Sequence, residues 1–205
     1  MTATNTELPK VYLARHGETE WSVAHRHTSF TDLPLTLQCE ENARRLHERL
    51  KDIGFAVVLT SPLQRARRTC ELAGFGKVAA VDSDLVEWNY GEYEGRRIAE
   101  IHKERPGWNL FRDGCPGGET AEQVGARADR VIARLRAGRC DTLIFSHRHF
   151  LSVFAARWVE LLAASGGVFF LSEASVSILG YDHTLQEPVI QLWNDTQHLE
   201  GCEKR

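Results

Sequence analysis

Short apolar runs alternate along this chain with stretches whose apolar residues recur every three or four positions. Lys10-Val-Tyr-Leu-Ala14 reads as a short buried strand. Leu37 to Ile53 is a helix instead, because Ala43, Leu46, Leu50 and Ile53 fall on one stripe and Gly54 supplies a stop. Ala56 to Thr60 is the next buried strand. Ser61-Pro62-Leu63-Gln64 has the form of a helix start, with serine as N-cap, proline in the first turn and glutamine closing a capping box. Val78 to Val81 is a short strand and Ala99 to Arg105 a brief helix. The segment Trp108 to Thr120, rich in glycine, proline and aromatics, is a long loop. Thr120-Ala-Glu-Gln123 opens a helix running to about Arg136 with a second capping-box pattern. Thr142 to Phe145 is a strand, Phe150 to Ala163 a helix, and Ser175 to Tyr181 and Val189 to Trp193 are two closing strands.

Strands that alternate with helices imply an α/β fold with a mainly parallel central sheet and helices on both faces. There are 205 residues, 42% of them hydrophobic, enough for one substantial core, so one domain over 1–205 is expected, with residues 1–8 as a flexible tail. A formal charge of −3 argues against nucleic acid or an anionic membrane as partner, and places any positive potential in a local site. The start of the chain has neither the basic head nor the apolar stretch of a signal peptide. Cysteines 39, 70, 115, 140 and 202 are odd in number and form no CxxC pair, the usage of reduced thiols in a cytoplasmic protein.

The chemistry gathers where strands stop. The first strand ends in Arg15-His16-Gly17, two chemically capable side chains and a permissive residue at the sheet edge where α/β proteins bind ligands. Alone, this tripeptide is equally a solvated loop with an incidental histidine. Three later segments change that. They are Ser61-Pro-Leu-Gln-Arg65-Ala66, then Leu85-Val-Glu87-Trp-Asn-Tyr90-Gly91 with Tyr93-Glu94-Gly95, then Phe145-Ser146-His147. Together, and in this order, the four resemble the landmarks of the histidine phosphatase, or phosphoglycerate mutase-like, superfamily.

The resemblance implies that His16 is the nucleophile that takes the phosphoryl group, a role a neutral imidazole can fill near pH 7. Arg15 and Arg65 become the charge clamp, since a guanidinium fork matches phosphate oxygens. His147 becomes the second family histidine, protonated or donating to a phosphoryl oxygen. Glu87, between Val86 and Trp88, becomes the proton donor, its carboxyl pKa raised by an aromatic setting. Arg67 and Arg68 read as a solvated helix face, Glu92 and Glu94 as surface glutamates, and His149 as structural. The substrate-binding set expected from position is Ser22, where many relatives carry asparagine, with Thr28, Ser29, Tyr90 and Arg148. His25-Arg26-His27 lacks the carboxylates of a metal site, so no metal and no cofactor is expected, and Arg26 and His27 border the pocket mouth.

The segments around Glu87 and Trp108 to Thr120 resemble more narrowly a subgroup of small phosphatases, including bacterial acid phosphatases and the fungal sedoheptulose bisphosphatase. A mutase must shield its phosphohistidine from water, and the stretch between Gly95 and Trp108 is short for a lid. The expected activity is therefore phosphomonoester hydrolysis on small metabolites, sugar phosphates or bisphosphates, through a phosphohistidine. A phosphoglycerate mutase and a catalytically idle phosphate-binding scaffold are the alternatives. The partner is a small phosphate ester; the oligomeric state is open, a homodimer among the options.

Overall fold

The computed structural model describes residues 7–200, so Cys202 and all of the expected tail except Glu7 and Leu8 lie outside the described residues. In chain order the strands and α-helices begin with β1 (Val11–Arg15), α1 (Glu20–Val23), α2 (Leu37–Leu50), β2 (Val57–Thr60), α3 (Gln64–Leu72) and β3 (Ala80–Val81). There follow α4 (Ile98–Glu104), α5 (Leu110–Asp113), α6 (Ala121–Gly138), β4 (Thr142–Ser146), α7 (Arg148–Trp158), β5 (Val176–Tyr181) and β6 (Pro188–Asp195). The six strands form one sheet in the order β3-β2-β4-β1-β5-β6. The first four of these pair in parallel, while β5 and β6 run antiparallel at the far side.

Strands β1 and β4 are buried at every position, as central strands covered on both faces must be. Alternation sorts their side chains between two cores. Val11 and Leu13 face the core built with α6 and α7, while Tyr12 and Ala14 face the one built with α2 and α3. Leu46 and Leu50 on α2 are fully buried, which stabilises the fold by roughly 1.5–3 kcal/mol each.

Several expected boundaries move, each for a local reason. Thr120 and Gln123 do close a capping box at the start of α6. Ser61 does not cap α3, because the ladder of β2 continues through it: its amide donates to the Phe145 carbonyl at 3.0 Å. The helix therefore starts at Gln64, whose amide is capped from outside by Asp32 Oδ1 at 2.8 Å. The segment 108–120 is not all loop, since Asn109 caps the one-turn helix α5. The helix expected over 150–163 is shifted, starting at Arg148 and stopping at Trp158 with Glu160 left-handed at φ 63°.

Candidate active site

The order β2-β4-β1 brings three strand ends side by side. Arg15 is in register with Ser146, Thr60 with Phe145, and the His16 amide donates to the Ser146 carbonyl at 2.9 Å. His16, Ser61 and His147 thus leave the sheet at one edge, where β1 and β2 flank β4.

His16 is buried, and its Nδ1 lies 2.5 Å from the Gly17 carbonyl oxygen. A carbonyl only accepts, so Nδ1 carries the proton and Nε2 keeps a bare lone pair. Burial first, then Arg65 and Arg15, push its pKa well below the usual histidine value, so the ring stays neutral at pH 7. Gly17 has a packing reason to be glycine. A Cβ there would meet Cys39 Sγ at 2.5 Å, so the glycine admits α2.

Arg15 donates from Nη1 to the Leu171 carbonyl and from Nη2 to Glu173 Oε1, both at 2.6 Å. Its Nε is buried without a partner, an unmet donor in a side chain on the cavity wall. Arg65 is arranged differently from the sequence expectation. It is fully buried and not on that wall, donating to the carbonyls of Thr28, Ser29 and Thr31 and, through Nε, to His147 Nδ1 at 3.2 Å. With Nδ1 accepting, His147 Nε2 holds the proton and donates to Ser61 Oγ at 2.8 Å. His147 is therefore neutral, its pKa held well below normal by burial and Arg65, and the protonated form is excluded at neutral pH. Its ring centroid is 5.0 Å from that of His16.

Ser29 also leaves the expected set. It is buried, its carbonyl serves Arg65, and its amide donates to both carboxylate oxygens of Glu94 at 2.8 and 2.9 Å. Glu94 is accordingly no surface glutamate: it also accepts from the Thr31 amide and so holds the loop that holds Arg65. Thr28 does reach the cavity. Ser22 reaches it too, with its hydroxyl donating to the Thr19 carbonyl within the capping box of α1.

Glu87 enters from the loop before α4. Its Oε1 accepts from the amides of Trp88 and Phe150, both at 2.9 Å, and Oε2 from the His149 amide at 3.2 Å. Burial nevertheless raises its pKa, against the pull of those three donors and Arg65. Two residues that nothing local in the sequence announces hold this segment. Arg127 on α6 donates to the carbonyls of Asp84, Val86 and Glu87, and Glu119 pairs with Arg127 while accepting from the Asn89 amide. Gly91, at φ +51°, lets the segment press against Pro116, where any Cβ would collide with the backbone.

These groups border a cavity of about 590 Å³. Arg15, His16 and Glu87 form its reactive part; Tyr90, His27, His149 and Arg148 continue the wall. Arg148 does face the cavity, with its guanidinium 4.8 Å from the Phe170 ring centroid. His149 is on the wall as well, which its reading as a structural residue missed. The available signal was His-x-His at a strand end, since α7 opens at once, with His147 as its N-cap and His149 in its first turn. No helix among the described residues is long and apolar enough to cross a membrane.

The likeness to known proteins spans most of the chain. The model of the histidine phosphatase superfamily (branch 1) matches residues 11–196. An acid phosphatase of Mycobacterium tuberculosis is 36% identical over 182 residues, 87% of this chain and 89% of that protein. The sedoheptulose 1,7-bisphosphatase of Saccharomyces cerevisiae is 40% identical over 186 residues, 75% of this chain and 68% of that protein. The solved structure of the Mycobacterium tuberculosis open reading frame Rv3214 superposes with a TM-score of 0.86 at 34% identity, covering 92% of this chain and 98% of that one.

Proposed function

The chain belongs to the histidine phosphatase superfamily, branch 1, and on that basis we propose that it hydrolyses small sugar phosphates or bisphosphates through a phosphohistidine on His16. The observation that carries the reading is the tautomer of His16. Its Nδ1 proton is tied to a carbonyl, and Nε2 is left as a neutral nucleophile on a cavity wall shared with a buried arginine and a buried carboxyl.

The reaction follows from those groups. His16 Nε2 attacks phosphorus as the bond to the ester oxygen breaks, and Glu87, whose carboxyl pKa burial raises, gives its proton to the leaving alkoxide. Water then attacks the phosphohistidine, Glu87 takes a proton from it, and orthophosphate leaves with His16 neutral again. Arg15 offers its free Nε–H to the phosphoryl oxygens. One such pair at about 4 Å is worth roughly 4 kcal/mol at an effective dielectric of 20. Arg65 acts from behind the wall, adding positive potential and fixing His147, so both remain in the catalytic set without a direct fork on the substrate. Ser22, Thr28, Tyr90 and Arg148 contact the remainder of the ester. The free thiols of Cys39, Cys70, Cys115 and Cys140 support a cytoplasmic location, and the mechanism calls for no cofactor. Isomerisation of a phosphoglycerate is the alternative outcome of the same intermediate.

A turnover screen over a panel of phosphorylated metabolites, with the His16→Ala protein as blank, tests the reading. Phosphate release from sugar phosphates above the blank supports it, and release equal to the blank across the panel contradicts it.

A further inference from the structure

Two imidazoles on the cavity wall play no part in phosphoryl transfer. His27 Nδ1 lies 2.9 Å from the Arg96 carbonyl oxygen, so Nδ1 carries the proton and Nε2 is a bare acceptor. His149 Nδ1 lies 2.5 Å from Tyr90 Oη. Tyr90 is buried, its pKa pushed well above the usual phenol value by burial and Glu87, so the phenol keeps its proton and donates it to Nδ1. That leaves His149 with the proton on Nε2, a donor. Both rings stay neutral, since burial lowers both pKa values.

The rings lie nearly parallel, at 22°, with centroids 6.5 Å apart. Aromatic edges fix each of them. His27 packs on Tyr90 at 4.8 Å and Trp108 at 5.7 Å, and His149 packs on Phe111 at 5.5 Å and Tyr90 at 5.8 Å. Each ring thus keeps one fixed nitrogen, an acceptor on His27 and a donor on His149, and both residues line the cavity. A hydroxyl group is the complement: its proton goes to His27 Nε2 while its lone pair accepts from His149 Nε2–H.

We propose that His27 and His149 are specificity-determining residues that bind a hydroxyl of the substrate, so that the favoured substrates are phosphate esters of polyols. This rests on the phosphatase reading above and narrows it. An alkyl or aryl ester would leave two polar ring nitrogens unpaired in a site built for hydrogen bonding, which is how such sites reject analogues lacking a hydroxyl.

The experiment compares a hexitol 6-phosphate with n-hexyl phosphate, both primary esters of the same chain length, with nitrophenyl phosphate as a control for phosphatase activity. The readout is the ratio of kcat/KM for hexitol over hexyl phosphate. The wild type should prefer the hexitol ester about tenfold or more, and His27→Phe and His149→Phe should each erase most of that preference. His27→Gln, which restores a polar group, should recover part of it. A ratio near one in the wild type overturns the proposal, and this outcome needs no variant to fold. A ratio unchanged by both phenylalanine variants overturns it as well. If the wild type releases phosphate from none of the three esters, the phosphatase reading has failed, and the proposal falls with it.

Discussion

Replacing Glu87 with glutamine separates proton donation from charge stabilisation, and the structure sets what else the change will do. The carboxyl accepts three backbone N–H groups, two on Oε1 and one on Oε2. A glutamine can keep its oxygen on the two 2.9 Å donors, but its amide nitrogen then faces the His149 N–H, donor against donor. One buried mismatch of this kind costs about 1–3 kcal/mol. For a domain of this size that lowers Tm by about 2–4 °C per kcal/mol. The catalytic effect is separable because it depends on the leaving group. A sugar alkoxide needs a proton in the transition state, so kcat for a sugar phosphate should fall by about 10² or more, whereas nitrophenolate leaves with far less help. Steady-state rates on the two esters, beside a thermal melt, read both consequences. If Glu87→Gln slows the two esters equally, Glu87 is not the acid, and Glu18, which also borders the cavity, takes its place as candidate.

Three further outcomes follow from the same geometry. His16 and His147 are buried with pKa values well below 6.5, so the unfolded chain binds more protons as pH drops below 6.5 and stability falls by up to about 1.4 kcal/mol per pH unit for each. Glu87, with its raised pKa, works oppositely above about 4.5, but one carboxyl does not offset two histidines; urea midpoints that fail to drop between pH 6.5 and 5.5 would refute the neutral assignments. Activity should survive excess chelator, because Arg15, Arg65 and the site's hydrogen-bond donors supply the stabilisation that a metal ion supplies in other phosphoryl-transfer enzymes; loss on chelation with rescue by a divalent ion would contradict it. Arg127→Met should lower kcat for sugar phosphates about tenfold by releasing the Glu87 segment, with KM changing much less; an unchanged kcat would mean that the segment holds its place without it.

What the sequence made legible were features with a local cause. β1 and β4 stand out as apolar runs because both of their faces are covered, and the reactive residues stand out because they directly follow those runs. The capping box at Thr120 was readable because both partners lie within one turn. Ser61 carried the same signature and misled, since whether it caps α3 depends on a distant strand, β4, whose Phe145 carbonyl still claims its amide. The inward turn of Arg65 was equally hidden: it is fixed by carbonyls at positions 28, 29 and 31, themselves held by Glu94. Glu173 and Arg127 belong to the same class, as their partners lie 158 and about 40 residues away.

The central claim is a covalent phosphoryl group on His16 Nε2. Rapid acid-free quenching of the protein during turnover of a sugar phosphate, followed by peptide mapping, tests it most directly. The account predicts a phosphoryl group that is labile in acid and stable in alkali, on the peptide containing His16 and absent from the His16→Ala protein. Undiminished hydrolysis by His16→Ala, or a phosphoryl group on any other residue, would contradict it.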